Sequence, residues 1–495
     1  MKKTLATIVI LAFSISQTFA QRDGDDVIIG KYRVIDSSVL GEQRRILVHL
    51  PDSYENTELQ YPVVFHLYGD YEMTYFADAA SLLHRLQSFR LIPGVILVGV
   101  DNTDRYRDLR PLKPDGSAGG ADQFARYFRE ELIPFIRENY RVADYNILAG
   151  PQAGACFGFY CLMEHTGLFD AFILENSFDN PEVIDNYLIT KAKDFFKPDK
   201  TLNKFLYMKI DSQSPNYPFA LEQKSVIEAN MPRDFRFRFE PVEQDGYMIE
   251  TGFLKGFREL FSGYELPDSI ASGGLDKIIA YYETLSEKLG FKVNPTDVIL
   301  HYAATRISSG GNRPEARRVY EYILSIYPKS LDGLFQMAQI LSAEGQYQKA
   351  VEYYSEFLKI RPQEAMVQNM LKRTERLIRE SASFAIEQTI NELGIKEGKR
   401  LYQQLRKDNP ENKYFNENEF INAGYRYLNK GMTDNAIEIF RMAVESFPKS
   451  FNAWDSLGEA YMKKGDKSNA KKSYQKSLAL NPGNENAVKM LEQVR

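Results

Sequence analysis

Hydrophobic residues follow two rhythms along the chain. From residue 27 to about 261 they arrive in short bursts: Arg45-Ile46-Leu47-Val48-His49-Leu50, Tyr61-Pro62-Val63-Val64-Phe65-His66-Leu67, Val95-Ile96-Leu97-Val98-Gly99-Val100 and Tyr145-Asn146-Ile147-Leu148-Ala149-Gly150. The last three are almost continuously apolar, the pattern of strands covered by helices on both faces. Further bursts stand at 171–175 and 205–210, and amphipathic helical spacing fills 121–139 and 153–165. Strand alternating with helix predicts an α/β domain with a parallel sheet. Its working crevice belongs at the carboxyl ends of the strands.

From about residue 270 the bursts stop and a 34-residue period takes over. Gly311, Ala316, Tyr320 and Pro328 recur as Gly345, Ala350, Tyr354 and Pro362; Gly424, Gly431, Ala436, Phe440 and Pro448 recur as Gly458, Gly465, Ala470, Tyr474 and Pro482. A small residue where two helices cross, an aromatic one turn later and a closing proline resemble the tetratricopeptide repeat. Residues 363–393 read as a long helical stretch, followed by a less regular unit built on Gly398, Tyr402 and Pro410. The expected fold class is therefore α/β followed by all-α, with 268–495 as a helical solenoid. Solenoids bury a core between stacked helix pairs and present concave surfaces, so this half is expected to carry a protein partner.

Composition narrows the picture further. With 495 residues, 44% of them hydrophobic and 26% charged, the chain is ordinary globular material with room for two or three domains. A net charge of -5 argues against nucleic acid as a partner. The two cysteines, Cys156 and Cys161, make no disulfide framework, and no Cys/His spacing suits zinc. No metal and no cofactor are expected. At the amino end, Lys2 and Lys3, the apolar run 5–13 and Thr18-Phe19-Ala20 have the order of a signal peptide, residues 1–20. The run is too short for a stable membrane span. The expectation is an exported protein, periplasmic or secreted, with no membrane span after cleavage.

Three motifs sharpen the first region. Asn102-Thr103-Asp104-Arg105-Tyr106-Arg107-Asp108-Leu109, Gly119-Gly120-Ala121-Asp122-Gln123-Phe124 and Glu131-Leu132-Ile133-Pro134-Phe135-Ile136 resemble the putative-esterase family of α/β-hydrolases, which includes esterase D, feruloyl and siderophore esterases. The resemblance covers about residues 27–263. It implies an α/β-hydrolase fold and a Ser-His-acid triad, with the serine at the tip of a G-x-S-x-G elbow. Here the elbow reads Gly150-Pro151-Gln152-Ala153-Gly154, so Gln152 stands at the nucleophile position. An amide offers no proton for a base to remove and is a very poor nucleophile. The position where the family places its histidine falls in Glu243-Gln244-Asp245-Gly246-Tyr247-Met248, on Asp245; Asp211 is a loose match for the acid.

None of the five histidines replaces the missing base by position. His49 and His66 lie in early strands, His84 in a helix, His165 at the end of the helix after the elbow and His301 among the repeats. Two substitute nucleophiles are weaker still: Cys156 sits inside the helix after the elbow, and Ser177 follows the strand at 171–175. What the resemblance leaves is a pocket. Gly69 and Asp70 follow the strand that supplies the second oxyanion N–H in the family, and with Gln152 and Ala153 they would line a site for a small ester-like or sugar-like ligand. The resulting expectation is an exported esterase-like protein without the Ser-His pair, serving in ligand binding or assembly. The alternative is an active carboxylic-ester hydrolase using non-standard residues.

Overall fold

The computed structural model describes residues 28–67, 72–101, 104–175, 182–243, 249–408 and 414–493. Residues 1–20, expected above to be a signal peptide, and Gly69, Asp70, Ser177 and Asp245 lie outside the described residues. The chain forms two compact units, Met1–Pro328 and Lys329–Arg495.

The first unit is built on one eight-stranded sheet in the order β1-β2-β4-β3-β5-β6-β7-β8. The strands are β1 (Lys31–Ser37), β2 (Glu42–His49), β3 (Tyr61–His66), β4 (Ile96–Val100), β5 (Val142–Pro151), β6 (Ala171–Glu175), β7 (Phe205–Asp211) and β8 (Arg236–Val242). β1 and β2 run antiparallel to their neighbours, while β4, β3, β5, β6, β7 and β8 are mutually parallel. Every residue of β3, β4 and β6 is buried, which is why their sequences are apolar without alternation. The helices of the sheet region are α1 (Glu72–Ser88), α2 (Arg105–Leu109), α3 (Ala121–Tyr127), α4 (Ile133–Asn139), α5 (Ala153–Glu164), α6 (Glu182–Phe195), α7 (Tyr217–Asn230) and α8 (Ile249–Leu260).

Alternation along β6 fixes two layers. Leu174 faces α5, where a Cβ on Gly158 would stand 2.5 Å from its side chain; Ile173 faces α8, where a Cβ on Gly256 would stand 2.7 Å away. The helical run at 121–139 is continuous but not uniform: α3 and α4 are joined by a π-turn, Phe128–Leu132. Pro134 explains the wider turn, because it has no N–H to continue the i→i−4 ladder.

Four further helices complete this unit: α9 (Asp268–Ala271), α10 (Leu275–Leu289), α11 (Asp297–Ser309) and α12 (Arg313–Ile326). They are tied to the sheet region by a Tyr145–Phe291 ring contact at 4.6 Å and by Tyr264, whose hydroxyl donates to the Asn294 carbonyl at 3.0 Å. The compact first unit thus includes the first helix pair of the periodic region.

The second unit contains α13 (Leu331–Ala343), α14 (Tyr347–Ile360), α15 (Ala365–Glu380), α16 (Ala382–Leu393), α17 (Ile395–Asp408), α18 (Glu417–Asn429), α19 (Thr433–Ser446), α20 (Phe451–Lys464), α21 (Lys467–Leu480) and α22 (Glu485–Gln493). The small residues of the period sit where paired helices cross. A Cβ on Gly424 would stand 2.5 Å from Phe440, and one on Gly458 would stand 2.8 Å from Tyr474. The helical stretch expected over 363–393 is helical as two helices, α15 and α16. The chain breaks at Ser381, whose extended backbone (ψ 116°) ends α15 and whose hydroxyl accepts the Phe384 N–H to cap α16.

Candidate functional site

The turn from β5 to α5 has the shape of a nucleophile elbow. Gln152 is its single-residue tip, with φ 51° and ψ −118°. A non-glycine residue held at positive φ costs on the order of 1–3 kcal/mol, so the surrounding structure must over-determine the turn. It does so through close backbone packing. A Cβ on Gly150 would stand 3.1 Å from Gly154, and one on Gly154 would stand 3.2 Å from Leu67. The Gln152 N–H donates to the Glu175 carbonyl at 2.8 Å, tying the tip to the end of β6. Ala153 follows, buried, as the first residue of α5. The side chain at the tip is half-buried.

The remaining residues singled out from the sequence fall as follows. Asp211 ends β7, and its carboxylate accepts the Gln213 N–H at 2.9 Å, so it caps the turn that leaves the sheet. Cys156 is fully buried in the core beneath the elbow. The Asp104–Asp108 motif is an anchor. Asp104 caps α2, and Asp108 pairs with Arg44 at 2.6 Å, a guanidinium with no exposed surface. Gly119 and Gly120 have no room for a side chain against the Arg110 and Arg107 carbonyls. These residues hold α2 and α3 to β2.

The sequence did not flag a buried polar seam beside the elbow. Glu175 at the end of β6 and Lys209 in β7 are register partners, 3.4 Å apart, with side chains 5% and 1% exposed. Burial pushes the Glu175 carboxyl up to about 8 and Lys209 down, each partly offset by the other. The Phe253 N–H of α8 also donates to Glu175. α8 comes this close because Gly252 has no side chain; a Cβ there would stand 2.5 Å from both Glu175 and Lys209. Behind them the Tyr207 hydroxyl donates to Glu240 at 2.7 Å, and Lys255 of α8 pairs with the same carboxylate. His66, fully buried at the end of β3, packs edge-on against Phe253, and burial lowers it to about 4.

One further constellation has the connectivity of a triad. His84 Nδ1 lies 3.2 Å from Asp52, and the Ser88 hydroxyl lies 3.5 Å from His84 Nε2. The site is on the exposed C-terminal turn of α1. The N–H groups that follow Ser88 are already committed: Phe89 donates to Arg85, Arg90 to Gln87 and Leu91 to Leu86. An oxyanion there would meet no free backbone donor from this turn, and the helix end carries the wrong partial charge.

An open cleft of about 930 Å³ lies among α9–α12, away from the sheet. Its arginines are internally paired, Arg318 with Asp276 and Glu315 at 2.9 Å each and Arg306 with Asp268 at 3.5 Å.

Comparison with known proteins agrees with this architecture. Residues 37–204 match the family model described as "Putative esterase", and 331–364, 422–450 and 451–484 match tetratricopeptide repeat models. The crystal structure of an IroE-like serine hydrolase from Shewanella oneidensis superposes with a TM-score of 0.50 at 25% identity, covering 59% of this chain and 99% of that one. The siderophore hydrolase EstB from Aspergillus nidulans gives 0.41 at 18% identity, covering 50% and 99%. Superkiller complex protein 3 from Homo sapiens is 40% identical over 63 residues, 13% of this chain and 4% of that protein. The chain therefore joins an N-terminal esterase-like α/β-hydrolase domain to C-terminal tetratricopeptide repeats. Among the described residues no helix is long and apolar enough to cross a membrane.

Proposed function

We propose that this chain is an exported, esterase-like protein that binds its ligand without cleaving it, while its repeats hold a protein partner. The observation that carries this reading is Gln152 at the tip of an intact elbow. The turn that presents a nucleophile is kept, strain included, and the residue presented cannot form an acyl-enzyme. What Gln152 can do is donate and accept hydrogen bonds, which suits the carbonyl and hydroxyl groups of an ester-like, amide-like or sugar-like ligand. Export rests on the leader-like residues 1–20 and on nothing further.

The test is turnover of p-nitrophenyl acetate, a feruloyl ester and a siderophore ester. The expected result is wild-type protein indistinguishable from buffer, with activity gained in Gln152→Ser/Asp245→His. Wild-type turnover that Gln152→Ala abolishes would overturn the reading. A second reading, hydrolysis at an unconventional serine, has the Ser88–His84–Asp52 arrangement in its favour. Fluorophosphonate labelling of Ser88, lost in His84→Ala, would establish it; the occupied backbone donors predict no labelling.

A further inference from the structure

The elbow, β7 and α8 meet at one residue. The Glu175 main chain accepts the N–H of Gln152, its carboxyl reaches Lys209 at 3.4 Å, and the same carboxyl accepts the N–H of Phe253. The contact with α8 depends on Gly252, whose missing side chain leaves just enough room for the two charged groups. A buried pair of this kind is a poor source of net stability, since desolvation offsets most of the attraction. It is, however, a sensitive one: changing the charge of either partner changes the cost of keeping the elements closed. We propose that Glu175 and Lys209 form a clasp that positions the elbow against α8, and that the clasp loosens and tightens with the charge state of the pair. This regulates the same crevice and so rests on the binding role given to it above; the clasp itself can be measured without ligand.

The groups facing the pair define how it responds. From β7 come Lys209 and Tyr207, from β8 Glu240, and from α8 Lys255 and Glu259; His66 of β3 reaches the same helix through Phe253. Burial holds the Glu175 carboxyl up at about 8, above its ordinary 4.5, so the closed clasp prefers the neutral acid. Between pH 4.5 and 8 each rise in pH therefore favours the opened, solvated state, by at most about tenfold per unit for one proton. Lys209 is lowered from its ordinary 10.5, so the closed clasp prefers the neutral amine, and raising the pH further restores closure. The two responses oppose one another: ionising Glu175 opens the clasp and deprotonating Lys209 closes it.

Hydrogen exchange of the full chain, without ligand and corrected for intrinsic rates, tests this between pH 5 and 10. Peptides covering the elbow and α8 should lose protection together, at least tenfold between pH 5 and 8, and regain it towards pH 10. Peptides from β4 should not follow. In Glu175→Gln, which keeps the size and the acceptor oxygen, the loss between pH 5 and 8 should vanish. The double variant Glu175→Gln/Lys209→Met removes both charges, guards against a fold too weak to measure, and should flatten the whole profile. The proposal is overturned if both variants keep the wild-type profile, or if elbow and α8 exchange vary independently. A flattened profile in protein that binds no ester-like or sugar-like ligand would leave the clasp standing and remove only the binding role.

Discussion

The two units bury polarity in different ways. The sheet unit encloses charges, among them Arg44 with Asp108 and Glu175 with Lys209, and a neutral His66. The repeat unit buries mainly serines, such as Ser456, Ser473 and Ser477, with Arg426–Glu387 as its conspicuous charged pair. Repeats are specified by volume: a small residue against a ring, again and again. The sheet unit is specified partly by volume and partly by charges that the register of the strands brings together. Damage should therefore propagate differently in each.

The largest effect should come from leaving a charge unpartnered. Lys209→Ala takes away the partner that holds the Glu175 carboxyl down. That carboxyl, 5% exposed in its side chain and already up at about 8, rises further, so the variant should lose stability progressively as the pH is raised, by up to about 3–5 kcal/mol where wild-type Glu175 is ionised. The cost should shrink in acid, where Glu175 is neutral. Urea titrations at pH 6 and pH 8 check this, and an equal loss at both values would contradict it. Next comes His66, lowered to about 4 by burial. Its neutral ring contributes stability fully above pH 6.5, and this is lost as pH falls through 4. The contribution is on the order of 3 kcal/mol. His66→Phe keeps a ring against Phe253 and should flatten that part of the acid limb in a pH series of thermal melts.

The repeat unit should respond to size instead. Gly424→Ala and Gly458→Ala push a methyl into Phe440 and Tyr474, and each should cost about 1–3 kcal/mol with no dependence on pH. Melts at two pH values separate this from the charge effects above. A matching relief, Gly458→Ala with Tyr474→Leu, should recover part of the loss, since the two residues are in contact.

What could be read in the sequence follows the same division. The repeats were legible because one period places the same side chains at the same crossing, and the break at Ser381 escaped because a serine inside an amphipathic stretch also fits a helix surface. The buried strands β3 to β7 were legible as apolar bursts. The edge strands were not: Lys31–Ser37 and Arg236–Val242 mix polar with apolar residues, and Lys31–Arg33 and Val34 are exposed on both faces of the sheet edge, so no apolar burst marks them. The elbow was legible down to its tip, because Gly150 and Gly154 are required by the backbone approach itself. Glu175 and Lys209 were not, since a glutamate closing one burst and a lysine inside another look like solvated charges until strand register pairs them across 34 residues. Their one signal was Lys209 itself, in the middle of a burst that must be covered on both faces.

The smallest effect should come from the elbow tip, and its sign is opposite to the rest. Glycine adopts φ 51° and ψ −118° without the Cβ conflict that Gln152 endures. Gln152→Gly should remove strain of about 1–3 kcal/mol while adding about 0.5–1 kcal/mol of unfolded-state freedom. From the backbone alone the net is a stabilisation of about 1 kcal/mol, read as a small rise in the urea midpoint. If the midpoint falls instead, the Gln152 side chain makes interactions in the folded protein that outweigh its backbone strain, and the tip is structural. If it rises while binding of an ester-like or sugar-like ligand is lost, the strain is retained at the expense of stability for the sake of the amide it presents. That combination separates a working crevice from an inherited turn.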